Sequence, residues 1–183
     1  MTYQNFIGNR WVSAQSGETL PVIDPSDGQA FSTIARSGEA DIDAAVVAAR
    51  AASEGAWGKM PPAERSRLLL RFSVALQDSQ EQLAQIESKD TGKPLKQARA
   101  DAAAVARYFE FYGGAVDKLH GSTIPYPQDY TVLTIREPHG VTGHIIPWNY
   151  PLQIFGRRVG AALAAGNACG VKPAADACGS LLE

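Results

Sequence analysis

The chain lacks three features that would place it in a membrane or outside the cell. It has only two cysteines, Cys169 and Cys178, in 183 residues, which are too few for a disulfide framework. It has no apolar run of about 18 residues, the length that crosses a bilayer. Its first residues show no basic start followed by an apolar block. These absences predict a cytoplasmic protein without a signal peptide or a membrane span.

An excess of charge of either sign is also absent. The sequence has 17 basic and 19 acidic residues, with a formal net charge of −2. This balance argues against nucleic acid or an anionic membrane surface as the main partner. The composition, 45% hydrophobic and 20% charged, is typical of a globular chain that buries a sizeable core in one domain or one and a half.

The first two thirds of the chain predict short strands followed by helices. Turn-rich segments separate apolar stretches at residues 6–12, 19–24 and 30–35, which predicts short strands and an N-terminal β-hairpin. Three amphipathic helices are predicted next, over residues 38–52, 61–92 and 94–121. Their expected apolar faces are Ile42, Val46 and Ala49; Leu68, Phe72, Leu76, Leu83 and Ile86; and Val105, Tyr108, Phe109 and Tyr112.

The segment after the third helix alternates apolar and polar residues. Val132, Thr134 and Arg136 alternate with Leu133 and Ile135, which predicts a half-buried or edge hairpin. Prolines at positions 125 and 127 favour an exposed arm over a central strand. We expect residues 123–137 to form this arm.

The last third predicts a strand–helix–strand unit. An apolar strand at residues 141–146 precedes a helix from residue 152, and Gly166 is expected to end that helix before a second strand at residues 168–172. The fold class is therefore α/β, with an incomplete Rossmann-like parallel sheet, an N-terminal β-hairpin, long helices and the β arm. Residues 173–183 are expected to begin another helix, so that the chain looks cut within a second crossover.

Two polar side chains lie where these two strands end. Asn149 stands between Pro147 and Pro151, and Lys172 closes the second strand. Ligands of parallel sheets bind beyond the carboxyl ends of the strands. An amide there suits a developing oxyanion, and an ammonium suits the hydroxyls or phosphates of a nucleotide. Asn149 as a helix cap and Lys172 as a solvated lysine remain open alternatives.

Several sequence motifs resemble one family. "IIPWNYP" followed by "ALAAGNACGVKPA", together with "TGKP" at residues 91–94, "YFEFYGGAVDKLHGSTIP" and "REPHGVTG", is similar to the aldehyde dehydrogenase superfamily over nearly the whole chain. The resemblance implies NAD(P)+-dependent oxidation of an aldehyde to a carboxylic acid through a Cys thiohemiacetal, with a Glu-activated water. It implies that residues 1–122 belong to the cofactor-binding domain, 123–140 to an oligomerisation arm and 141–183 to the start of the Rossmann-like core.

The resemblance also implies roles for individual residues. Asn149 would supply the oxyanion-hole amide, and Lys172 would hydrogen-bond the adenosine ribose. The cofactor-binding residues implied are Ile145, Ile146, Pro147, Trp148, Asn149, Lys172, Ala174 and Ala175. Ala175 stands where the family often has Glu, which removes a carboxylate that would repel a 2′-phosphate and so predicts NADP as well as NAD use. Asp176, one residue later, is expected to face elsewhere.

The nucleophile and the base of the family reaction are not recognisable in the sequence. Cys169 lies in an apolar strand, where a small buried side chain is expected, and Cys178 lies beside Gly179 without the nucleophile's context. The isolated chain is therefore predicted to be inactive. His139 and His144 lack metal-ligand spacing, so no metal is expected.

Two functional interpretations remain at this stage. The chain either supplies the cofactor-binding N-terminal portion of an aldehyde dehydrogenase, with a small-molecule aldehyde as substrate and homo-oligomerisation through residues 123–137, or is a non-catalytic truncated fragment or pseudoenzyme acting only in subunit assembly.

Overall fold

The computed structural model describes residues 2–183, and its N-terminal part consists of short strands. These are β1 (Thr2–Tyr3), β2 (Asn5–Ile7), β3 (Arg10–Val12), β4 (Thr19–Ile23) and β5 (Ala30–Ala35). An N-terminal hairpin is present, but the expectation of one strand over residues 6–12 is wrong. Gly8 and Asn9 adopt positive φ values, 58° and 64°, which suit a two-residue turn, so that β2 and β3 pair with each other. Strand β5 pairs with β1 in parallel and with β4 in antiparallel orientation.

Four helices follow: α1 (Glu39–Glu54), α2 (Pro62–Asp78), α3 (Gln80–Thr91) and α4 (Leu95–Ala115). The prediction of one helix over residues 61–92 is wrong, because the helix is interrupted at Ser79. That residue ends α2, with its N–H bonded to Ala75 O, and also begins α3, with its carbonyl accepting from Leu83 N. Gly92, with φ 72°, ends α3 as predicted.

The predicted apolar face of α2 is also wrong at Leu68 and Phe72, whereas Leu76 packs against the core as predicted. Leu68 and Phe72 are 37% and 41% exposed, whereas Leu69 and Ser73 are each 2% exposed. Ser73 occupies the buried face because its hydroxyl donates to Ala106 O at 2.7 Å, which satisfies the polar group inside the core. On α1, the expected core residue Ile42 is likewise 49% exposed.

The predicted arm is a small exposed hairpin. Strands β6 (Thr123–Ile124) and β7 (Val132–Leu133) pair in antiparallel orientation. Five large apolar side chains of this segment are exposed: Ile124, Tyr126, Tyr130, Leu133 and Ile135.

The predicted strand–helix–strand unit is present. Strands β8 (Val141–Ile145) and β9 (Ala168–Lys172) pair in parallel, and α5 (Pro151–Ala164) connects them, with Gly166 at φ 91° in the turn that follows. Helix α5 packs on α4 through Gly156 and Gly160, and the core between them includes Val105 and Phe109, both fully buried.

The last segment differs from the prediction of a new helix. Ala174 and Ala177 form a bridge across a tight turn, and a 3-10 turn at Gly179–Leu181 follows. Side chains from α3 hold this segment, because Gly179 N–H donates to Asp90 and the Ser180 hydroxyl donates to Glu87. Within residues 2–183, the helices are too short or too polar to span a membrane.

Candidate functional site

The ends of β8 and β9 meet at one edge of their small sheet. Ile145 and Lys172 are register partners, and Ile146 N–H donates to Lys172 O at 2.9 Å. Register partners on neighbouring strands direct their side chains to the same face of a sheet. Ile145 is 73% exposed and Lys172 is exposed too, so an apolar surface lies beside an ammonium group.

The segment between β8 and α5 presents Asn149 to solvent. Pro147, Trp148 and Asn149 are all exposed, and Trp148 is 61% exposed. The N-cap of α5 is Tyr150, with no side-chain capping bond. Within the described residues 2–183, the Asn149 amide makes no hydrogen bond, so the alternative that it caps the helix is not what the structure shows. Its N–H groups are free to donate to a molecule outside the chain.

The remaining residues of the expected cofactor site differ in exposure. Ile146 is only 1% exposed, because its side chain enters the interior. Because this value covers backbone and side chain together, Ile146 offers almost no surface to a ligand. Ala174 and Ala175 are half-buried and belong to the tight turn after β9.

Asp176 lies at the same turn and is exposed. It lines a shallow recess of about 280 Å³ together with Trp148, Pro21 and Asp90. Lys172 and Ala175 do not line this recess. The expectation that Asp176 faces away from the ribose-binding position therefore stays a prediction.

Neither cysteine has the environment of a nucleophile. Burial raises the pKa of the Cys169 thiol, and burial together with nearby Asp90 raises the pKa of Cys178 to about 12. A nucleophilic cysteine needs a lowered pKa, so both thiols stay protonated at neutral pH. The part of the chain that the structure describes holds no cluster of three His, Cys, Asp or Glu side chains that could bind a metal.

Sequence reasoning missed two residues, Asn167 and Lys93, that contact the segments around this site. Asn167, 4% exposed, accepts from Gly140 N–H and donates to Ala162 O, which ties the start of β8 to the end of α5. Lys93 approaches the Tyr150 ring, with its Nζ 4.8 Å from the ring centroid. The only sequence signal for Lys93 was its place in "TGKP", and a four-residue motif does not reveal what the lysine contacts.

Known proteins match this chain in sequence. The profile of the aldehyde dehydrogenase family matches residues 11–183. Aldehyde dehydrogenase family 2 member B4, mitochondrial, from Arabidopsis thaliana is 46% identical over 173 residues, covering 93% of this chain and 32% of that protein. The chain thus spans about one third of the length of the curated relatives it matches.

Solved structures share the fold as well as the sequence. An NAD+ complex of aldehyde dehydrogenase from Bacillus cereus has a TM-score of 0.97 and 40% identity, covering 100% of this chain and 38% of that one. A protein from Burkholderia cenocepacia, assigned to the aldehyde dehydrogenases, has a TM-score of 0.96 and 67% identity, with coverage of 98% and 38%. The family profile, the sequence identities and the shared fold lead to one conclusion: this chain belongs to the aldehyde dehydrogenase family.

Proposed function

We propose that the chain supplies the N-terminal, cofactor-binding portion of an NAD(P)+-dependent enzyme that oxidises an aldehyde to a carboxylic acid. One observation carries this proposal. The Asn149 amide is exposed and unbonded within residues 2–183, beside the edge at which β8 and β9 end with Ile145 and Lys172. The amide can donate a hydrogen bond to an oxyanion. The ammonium and the apolar surface can bind the polar groups and the rings of a nucleotide.

The residues at this edge fit a dinucleotide. The exposed side chains of Ile145 and Trp148 offer apolar surface to flat rings, and the Lys172 ammonium can donate to ribose hydroxyls or pair with phosphate. When bound, NAD(P)+ supplies the acceptor for the hydride that leaves the substrate. The NAD+ complex of the Bacillus cereus relative supports this assignment.

The protein's own contribution to the chemistry is the placement of Asn149. Its amide donates hydrogen bonds to the oxygen of the substrate as negative charge develops there. Pro147 and Pro151 restrict the backbone on both sides, so little reorganisation is needed when the charge appears. The whole protein is the complete product of the gene. Its residues outside this chain supply the nucleophilic thiolate and the base that activates water.

We also propose that residues 123–137 mediate homo-oligomerisation. The hairpin exposes Leu133 at 53% and Ile135 at 73%, and its short strands pair only with each other in the described chain. An exposed apolar edge of this kind is a ready site for pairing with a second copy. The cytoplasmic location stays a prediction.

The experiment that tests the enzymatic proposal compares Asn149→Ala with the wild-type whole protein. We expect kcat for a simple aldehyde to fall by about 10²–10³-fold, the loss typical of one oxyanion donor. Binding of NAD+, measured by fluorescence titration, should change much less. Gln77→Ala, at an exposed position on α2, is the control and should leave both quantities unchanged.

Two results would count against this proposal. If Asn149→Ala kept the wild-type kcat, the Asn149 amide would have no catalytic role. An intact mass showing that the native gene product ends at residue 183, with no aldehyde turnover, would favour the non-catalytic alternative.

A further inference from the structure

A buried cluster of three charged side chains lies next to the segment that carries Asn149. Glu87 and Asp101 have fully buried side chains, and the Lys93 side chain is 11% exposed. Lys93 Nζ lies 2.9 Å from Glu87 Oε1 and 2.7 Å from Asp101 Oδ2. Two carboxylates face one ammonium, so the cluster needs further hydrogen-bond donors to remain inside the protein.

Neutral side chains from other elements supply those donors. The Ser180 hydroxyl donates to Glu87 Oε2 at 2.6 Å. Gln97 and Gln153 both donate to Asp101 Oδ1, at 2.8 and 2.7 Å. The cluster therefore ties together α3, α4, α5 and the final 3-10 turn.

Lys93 keeps its charge in this setting. Burial by itself lowers the pKa of Lys93, but the hydrogen bonds that its ammonium donates to Asp101 and Glu87 outweigh burial and raise the pKa above its ordinary value.

The cluster contacts the Asn149 segment on both sides of Pro151. Lys93 Nζ lies 4.8 Å from the centroid of the Tyr150 ring, within the range of a cation–π interaction. Gln153, in the first turn of α5, is held by Asp101. Tyr150 follows Asn149 directly in the chain, so these two contacts restrict the backbone that carries the amide.

We propose that Lys93 is a positioning residue that, through Tyr150 and Asp101, keeps the Asn149 amide in one place at the end of β8. The catalytic consequence rests on the function proposed above for Asn149. The conformational consequence, that Lys93 fixes the 147–151 segment, does not. A purely structural ion pair would stabilise the fold without acting on this segment.

The kinetic experiment uses three variants of the whole protein. Lys93→Met removes the ammonium, and Lys93→Met/Glu87→Gln restores the original balance of buried charge without restoring the contact to Tyr150. Arg99→Met is the matched control, because the exposed Arg99–Glu81 pair links the same two helices, α4 and α3.

We expect Lys93→Met to lower kcat by about ten- to a hundredfold, the scale of a misplaced catalytic group. KM for the aldehyde should stay within about threefold. The double variant should recover the thermal midpoint that the single variant loses but keep the low kcat, and Arg99→Met should match wild type. If kcat recovers together with the thermal midpoint, Lys93 acts only on stability and the proposal is overturned.

A second measurement tests the segment without any turnover. In protein labelled with 5-fluorotryptophan, the ¹⁹F resonance of Trp148 is assigned as the one lost in Trp148→Phe. Lys93→Met should shift or broaden this resonance and leave that of Trp57 in place, since the Trp57 ring N–H donates to Asn167 O at 3.0 Å, away from the cluster.

The two measurements separate the two proposals. An unchanged Trp148 resonance in a folded Lys93→Met protein would overturn the positioning role. A changed resonance in a whole protein that oxidises no aldehyde would support the role of Lys93 in fixing the segment and count only against the proposed enzymatic function.

Discussion

Gly156 of α5 lies directly against Val105 of α4. A Cβ at position 156 would stand 3.0 Å from Val105 Cγ2 and 3.2 Å from its Cα, and Val105 is fully buried. The absence of a side chain at this position lets the two helices approach each other closely. This contact places α5, and hence the segment before it, on the helical core.

Gly156→Ala should therefore destabilise the protein by about 1 kcal/mol, because the overlap with Val105 exceeds the gain in helix propensity. The matched control is Gly114→Ala in α4, where the new Cβ would meet no atom within 4 Å. That change should stabilise by up to about 1 kcal/mol. Urea unfolding of both variants measures the difference; equal effects would show that the helix contact is not tight.

Asp90 should make stability depend on pH. Its Oδ2 accepts from Gly179 N–H at 2.7 Å, its Oδ1 is buried without a partner within residues 2–183, and burial is the main cause that raises its pKa to about 6. Between about pH 4 and 6 the folded protein binds a proton that the unfolded chain has lost, so the free energy of unfolding falls as pH rises through this range.

The Asp90→Asn variant mimics the protonated acid and should not show this loss. We expect it to be more stable than wild type at pH 7 by about 1–2 kcal/mol and equal to it near pH 4. Asp129→Asn, at an exposed position of the arm, should follow the wild-type curve. Denaturant unfolding from pH 4 to 7 checks this, and an Asp90→Asn curve parallel to wild type would contradict it.

The arm should carry contacts between subunits. Leu133→Lys combined with Ile135→Lys places two charges on its exposed apolar surface. We expect the whole protein to elute at a smaller oligomeric size in chromatography with light scattering, because buried unpaired charges oppose association. Gln77→Lys controls for charge alone. Elution of the double variant at the wild-type size would show that the arm does not lie in the interface between subunits.

Cofactor choice should depend on position 175. Ala175 places no carboxylate near a 2′-phosphate, so the whole protein should use both NAD+ and NADP+. Ala175→Glu should raise the KM for NADP+ by about ten- to a hundredfold, equivalent to about 1–3 kcal/mol, and change that for NAD+ far less. The KM values of Asp176→Asn for NAD+ and NADP+ show whether the Asp176 carboxylate, which lines the recess beside Trp148, already disfavours NADP+. If the wild-type protein already had a KM for NADP+ as high as that of Ala175→Glu, the prediction would be contradicted.

The 183-residue chain by itself should not oxidise aldehydes. Both of its thiols have raised pKa values, so neither provides the thiolate that attacks an aldehyde. The purified chain, incubated with an aldehyde and NAD(P)+, should form no NAD(P)H above a blank. Turnover that disappears in Cys169→Ala or Cys178→Ala would show that the chain contains its own nucleophile.

Several features of this fold depend only on local chemistry and can therefore be predicted from the sequence. The end of α3 at Gly92 and the strand–helix–strand order of residues 141–172 follow from backbone preferences and from apolar periodicity. The positions of Asn149 and Lys172 at two strand ends follow from that order, since parallel strands end at the same edge of a sheet.

Which polar groups enter the interior, and what they contact, depends on residues that are far apart in the sequence. Ser73 replaced Phe72 on the buried face of α2 because Ala106 O, on another helix, satisfies its hydroxyl. Asp90 contacts Gly179, and Lys93 reaches Tyr150, across long stretches of chain. A buried polar side chain is stable only if its partner arrives at hydrogen-bonding distance, and that distance is set by how the helices pack rather than by any local pattern of residues.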